Sequence, residues 1–137
     1  MGVQPDALIG PYRILGQIGK GGMGQVFAAV HESDGQEVAL KLLLKEAAED
    51  RQIARRFEQE YNVLARLEHR NIVKVFAWGR PAEGVAYLAM ERLDGLSLRE
   101  WLLRQSRPAD VKTALAIGRQ IADAMSAVHE RRIVHRD

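Results

Sequence analysis

Gly19-Lys20-Gly21-Gly22-Met23-Gly24-Gln25-Val26 fits the pattern G-x-G-x-x-G-x-V. Glycine at such positions lets backbone N–H groups approach phosphate oxygens without a side chain in the way. Several phosphate-binding motifs use related spacings. A dinucleotide fingerprint needs a helix after the last glycine and an acid about twenty residues further on. Here the strand-like run Val26-Phe27-Ala28-Ala29-Val30 follows, and Ala39 and Leu40 stand at that distance. A P-loop needs Lys directly after its last glycine, where this chain has Gln25. A glycine hairpin folded over the phosphates of ATP between two strands fits the flanks. A plain flexible hairpin fits them as well.

The second chemical feature is a charge in an apolar strand. Val38-Ala39-Leu40-Lys41, continued by Leu42 to Leu44, places one lysine among hydrophobic residues. Such a lysine either snorkels to solvent or is held for a purpose. Glu60 lies three residues after Phe57 and four before Leu64, inside the apolar stripe of the following helix. A carboxylate on that stripe needs a cation or strong donors, unless it reaches water at the stripe's edge. Lys41 on the neighbouring strand is the candidate partner, and the pair could aim an ammonium at ATP phosphates.

The elements that would position these residues can be read from pattern. Strands are expected over Tyr12 to Ile18, Gln25 to Val30 and Glu37 to Leu44, joined by turns too short for a crossover, hence antiparallel. A helix is expected over Glu49 to Leu67, with Ile53, Phe57, Leu64 and Leu67 at helical spacing. Two more strands follow, Ile72 to Trp78 and Val85 to Glu91. Ser97-Leu98-Arg99-Glu100 has the form of a capping box before a short helix. Pro108 suits the first turn of a longer helix carrying Leu115, Ile121, Ala122, Met125 and Val128 on one side. The boundary falls near Asp94-Gly95, between a sheet-rich part and a helical part too small to enclose its own core.

Composition narrows the class. The 137 residues carry 20 Lys+Arg against 18 Asp+Glu, a net charge of +2, with 47% hydrophobic and 28% charged residues. That balance describes a folded chain and gives no argument for nucleic acid or an anionic membrane as partner. The basic stretch His129 to Arg136 reads as a solvated helix end. The chain has no cysteine, which excludes disulfides, thiolate metal sites and a Cys nucleophile. No apolar run approaches the ~20 residues of a membrane span, and Met1 to Gly10 lacks the character of a secretory signal. A cytoplasmic location is expected.

In this order the residues resemble the N-terminal half of a protein kinase domain, closest to bacterial Ser/Thr kinases of the eukaryotic-like type. The Gly-rich loop matches at Gly19 to Val26, V-A-I-K at Val38-Ala39-Leu40-Lys41, and the helix-C glutamate at Glu60. His69-Arg70-Asn71-Ile72-Val73 looks like H-P-N-I-V with Arg70 in place of Pro. Tyr87-Leu88-Ala89-Met90-Glu91 resembles the fifth strand entering the hinge, and His135-Arg136-Asp137 the start of the H-R-D catalytic loop.

The resemblance implies an α+β, protein-kinase-like fold. It has a five-stranded antiparallel N-lobe sheet with helix C, followed by the first helices of an incomplete helical C-lobe. Its divisions are residues 1–11 as an N-terminal tail, 12–93 as the N-lobe, and 94–137 as hinge and partial C-lobe. It also implies roles. Ile18, Val26 and Ala39 pack on adenine and ribose. Gly19, Lys20, Gly21, Gly22, Met23, Gly24 and Gln25 form the loop over the phosphates. Lys41, held by Glu60, meets the alpha and beta phosphates. Met90 is the gatekeeper, and backbone groups of Glu91 and Leu93 bond the adenine edge. Leu64, Val75 and His135 join a packed spine, and Asp137 is the catalytic base.

The chain's match stops at Asp137. The family's Mg²⁺-binding Asn and D-F-G Asp have no counterpart in residues 1–137, so no metal ligand is assigned although ATP and Mg²⁺ are the implied cofactors. The expectation is therefore a Ser/Thr protein kinase fragment that binds ATP and is not competent in transfer alone. Its partners are ATP and protein substrates bearing Ser or Thr. The alternative is a non-catalytic half-kinase module that docks on another protein through the apolar face from Leu115 to Val128.

Overall fold

The computed structural model describes residues 3–21, 24–43, 51–81 and 85–133; within the helix at 51–64 it leaves the side chains of 51, 53, 54, 56 and 60 undescribed. Two compact units result, Met1–Arg66 with Val73–Arg92, and Leu67–Ile72 with Leu93–Asp137.

The first unit is built on one sheet: β1 (Leu8–Ile9), β2 (Tyr12–Gly21), β3 (Gly24–His31), β4 (Glu37–Leu43), β5 (Val75–Gly79) and β6 (Ala86–Glu91). Helix α1 (Arg51–Leu64) is inserted between β4 and β5. The spatial order is β1-β2-β3-β4-β6-β5, with every neighbouring pair antiparallel. The five expected strands are β2 to β6. The sixth, β1, lies where a tail was expected. Two residues are too few to show alternation, and β1 exists because Gly10, at φ +57°, turns the chain so that Ile9 pairs with Tyr12.

Alternation sorts the sheet's side chains. Phe27 and Ala29 of β3, Val38, Leu40 and Leu42 of β4, and Tyr87 and Ala89 of β6 share one buried cluster with Ile9, Tyr12 and Ile14. Leu43, Ala86 and Leu88 point the other way and meet Phe57 of α1, with Tyr61, Leu64, Val75, Trp78 and Met90 around them. Phe57, Tyr61 and Leu64 recur at helical spacing, so α1 lays one stripe on the sheet. β4 is buried on both faces, as its nearly continuous apolar run requires.

The second unit contains α2 (Leu98–Arg104) and α3 (Val111–Glu130). The capping box forms as expected: Ser97 Oγ accepts the Glu100 N–H at 3.2 Å, and the Glu100 carboxylate accepts the Ser97 N–H at 2.8 Å. The Ser97 hydroxyl, donating to that carboxylate at 2.7 Å, and then the Ser97 N–H hold the Glu100 carboxyl below its ordinary 4.5. Pro108 does not open α3. Asp110 caps it, its carboxylate accepting the Thr113 N–H at 3.0 Å, and Pro108 lies before the cap.

The segment 67–72 also belongs to this unit. Ile72 donates its N–H back to the His69 carbonyl at 3.0 Å, so the chain is turning where a strand was expected, and β5 begins only at Val75. Among the described residues no helix is long and apolar enough to cross a membrane. On α3, Leu115 and Ile121 are 68% and 54% exposed, whereas Val128 is buried.

Candidate functional site

Cross-strand register decides which of the predicted residues share a surface. Val26 stands opposite Lys41, and Lys41 opposite Leu88; one step along, Ala28 stands opposite Ala39, and Ala39 opposite Met90. Directly paired residues lie on the same face, as do residues two apart on one strand. Val26, Ala39, Lys41 and Met90 therefore gather on one face of the sheet, opposite the face holding Phe27, Leu40 and Leu42. Ala28 and Ala39 are small and leave a flat apolar step, bounded by half-buried Val26 and Met90.

The glycine hairpin closes one end of that face. Gly19 pairs with Val26, Lys20 with Gln25 and Gly21 with Gly24. Gly22 and Met23, between Gly21 and Gly24 in sequence, lie outside the described residues. Gly24 has a steric reason of its own: a Cβ there would collide with the backbone carbonyl of Leu42 on β4. The last glycine of the motif thus lets β3 start hard against β4. Ile18, before the motif, is 52% exposed, which makes it an available apolar lip.

Lys41 reaches toward α1. Its Nζ is 5.7 Å from the centroid of the Phe57 ring, within cation–π range. Glu60 lies three residues after Phe57 in α1; its side chain, like Asp137 and His135, lies outside the described residues. Leu64 and Val75 pack in the cluster that holds Met90.

At the other end of the face β6 gives out. Glu91 is its last residue, paired with Val38 of β4. Glu91 donates its N–H to the Lys74 carbonyl at 2.8 Å, and its carboxylate accepts the Lys74 N–H at 3.3 Å. Arg92 donates to the Glu37 carboxylate at 2.6 Å. Leu93 belongs to the second unit and is 69% exposed.

Sequence reasoning missed Phe57 as a neighbour of Lys41, and gave Lys74, Glu37 and Arg92 no part in the site. Phe57 was readable only as one member of an apolar stripe. Glu37 and Arg92 meet because Val38 pairs with Glu91, a register that no local pattern encodes.

The residue set suits a nucleotide on three counts. A small-residue apolar step can take a flat ring. A lysine ammonium stands beside it for phosphate oxygens. A glycine hairpin offers backbone donors without side-chain bulk. An antiparallel sheet with one inserted helix, a glycine hairpin and this lysine defines the small lobe of a kinase. The chain belongs to the protein kinase domain family, whose model matches residues 12–137.

Its relatives within that family include bacterial serine/threonine kinases. It is 38% identical over 128 residues to the serine/threonine-protein kinase PrkC of Bacillus subtilis, covering 93% of this chain and 19% of that protein. It is 36% identical over 134 residues to PknD of Mycobacterium tuberculosis, covering 98% of this chain and 20% of that protein. The chain thus spans about a fifth of the length of these curated relatives. The crystal structure of the Mycobacterium tuberculosis PknI kinase domain is similar over 100% of this chain and 56% of that one, at 30% identity and a TM-score of 0.83.

Proposed function

We propose that this chain is the ATP-binding half of a Ser/Thr protein kinase whose complete form transfers the terminal phosphoryl group of ATP to protein hydroxyls. The observation that carries the reading is the gathering of Val26, Ala39, Lys41 and Met90 on one sheet face beside the glycine hairpin. In this reading Ile18, Val26 and Ala39 hold the adenine and ribose, with Met90 behind them. Backbone amides of the loop from Gly19 to Gln25 cover the phosphates. Lys41, oriented by Glu60, neutralises the alpha and beta phosphates, and backbone groups of Glu91 and Leu93 meet the adenine edge. Asp137 accepts the proton of the substrate hydroxyl.

Mg²⁺ would supply charge neutralisation of the phosphates, held in the complete kinase by residues outside 1–137. Residues 1–137 hold no counterpart of the family's Mg²⁺-binding Asn or D-F-G Asp, so these residues alone bind nucleotide without turnover. A cytoplasmic location follows from the need for ATP. The test is titration of the chain with a ribose-labelled fluorescent ATP analogue, alongside transfer from labelled ATP with Mg²⁺. Saturable binding, lost in Lys41→Ala, supports the reading; transfer that survives Lys41→Ala overturns it.

A second reading is a non-catalytic module that docks on another protein. The exposed apolar residues Val111, Leu115 and Ile121 of α3, with Leu102 and Leu103 of α2, favour it. Absence of nucleotide binding, together with saturable association with an intact kinase domain, would support this reading against the first.

A further inference from the structure

Residue 92 stands just past the end of a strand. β6 stops at Glu91, and Val38–Glu91 is the last pair of the β4–β6 ladder. Continuing that antiparallel register by one step sets Glu37 opposite Arg92. At that step, past the last ladder pair, the two side chains meet, with Arg92 Nη1 to Glu37 Oε2 at 2.6 Å. On the other side Glu91 is fixed twice to Lys74, by its N–H and by its carboxylate. The peptide joining Glu91 to Arg92 is therefore held from both sides, by Glu37 of β4 and by Lys74 just before β5, at the point where β6 ends.

Glu37 is 59% exposed and Arg92 32%. Exposed pairs of this kind contribute little to global stability. Their effect is local: they restrict the backbone angles of the residues they join. On the nucleotide reading above, the Glu91 backbone is what meets the adenine edge.

We propose that Glu37 and Arg92 are positioning residues for nucleotide binding, acting through the Glu91–Arg92 peptide and not through contact with the nucleotide. The inference rests on the nucleotide-site reading. A second exposed pair provides the control. Arg13 and Glu32 form a two-bond ion pair at 2.8 and 2.9 Å between β2 and the turn after β3, away from Glu91 in the sheet order.

The experiment measures the dissociation constant of a ribose-labelled fluorescent ATP analogue for the whole chain, with thermal unfolding in parallel. Glu37→Gln and Arg92→Met should each weaken binding about two- to fivefold, the range of an exposed pair, with the melting temperature nearly unchanged. Glu32→Gln should leave binding unchanged. The exchanged double variant, Glu37→Arg with Arg92→Glu, should recover most of the loss, an outcome that simple loss of packing would not produce. Wild-type binding that none of these variants alters overturns the positioning role alone. Failure of the exchanged pair to recover, or an equal loss in Glu32→Gln, overturns it too. A wild-type chain that binds no nucleotide overturns the site reading and this inference together.

Discussion

The ammonium of Lys41 lies 5.7 Å from the centroid of the Phe57 ring, joining the centre of the sheet to the inserted helix. Phe57 is buried at the junction of Leu43, Ala86 and Leu88. It therefore serves two ends, filling the core beneath α1 and offering its face to a cation.

Those two roles separate under mutation. Lys41→Ala should weaken ATP-analogue binding tenfold or more, since loss of a charge-assisted contact to phosphate costs about 1.4 kcal/mol or more. Phe57→Leu should lower unfolding free energy by about 1–2 kcal/mol, because the smaller side chain fills the site incompletely. Urea unfolding and analogue titration, run on both variants, distinguish the effects. A Lys41→Ala chain that binds as wild type does would remove Lys41 from the site.

Gly24 and Gly16 form a matched contrast. A Cβ at Gly24 collides with the Leu42 carbonyl, whereas a Cβ at Gly16 meets nothing within 4 Å. Gly24→Ala should destabilise the chain by about 1–3 kcal/mol, the usual cost of forcing atoms into a packed contact. Gly16→Ala should be neutral within about 0.5 kcal/mol. Equal midpoints for the two variants in urea would show that the β3–β4 contact yields.

Asp123 of α3 gathers donors from the segment before β5. Its Oδ2 accepts from Arg70 at 3.2 Å and from the Asn71 amide at 3.4 Å, and His69 Nε2 lies 3.6 Å away. His69 Nδ1 accepts the Asn71 N–H at 3.1 Å, so the ring's proton is on Nε2, toward the carboxylate. Asp123→Ala should cost about 1 kcal/mol and speed amide exchange at Asn71 and Ile72. Arg70→Ala, which removes one donor of the set, should do less. If Arg70→Ala matches Asp123→Ala, the acceptor is serving Arg70 alone.

Tyr12 and Tyr87 stack edge to face at 5.5 Å in the sheet's larger cluster. Burial raises the Tyr87 hydroxyl above its ordinary 10.0, and burial first, then the neighbouring Tyr87, raises Tyr12. A raised folded pKa means the folded state keeps its proton longer than the unfolded chain. The stability involved is intact below pH 10.0 and is lost as pH rises through the raised folded values. The melting temperature should fall from about pH 9 to about pH 11, and Tyr87→Phe should lessen that fall. An unchanged fall in Tyr87→Phe would assign it to other groups.

Local pattern determined much of this protein. Alternation in Tyr12 to Ile18 and Gln25 to Val30, the apolar run from Val38 interrupted only by Lys41, and the stripe through Phe57 and Leu64 each encode an element, because strand and helix periods are local properties. The capping box at Ser97 and Glu100 was legible for the same reason, its partners being three residues apart. The motifs from Gly19 to Val26 and at Val38 to Lys41 also carried the family resemblance. Misreadings arose where geometry outranked pattern. β1 owes its existence to a turn at Gly10, and α3 takes its start from the Asp110 carboxylate instead of Pro108.

Tertiary structure alone decided who faces whom. Nothing near Val26 in the chain says that it stands opposite Lys41, or near Ala39 that it stands opposite Met90. The collision that requires glycine at 24, the ring of Phe57 beside Lys41, and the Glu37–Arg92 pair are likewise contacts between distant segments. A strand's sequence specifies which residues alternate. Its partner's register, set by the packing of both sheet faces at once, specifies which of them meet.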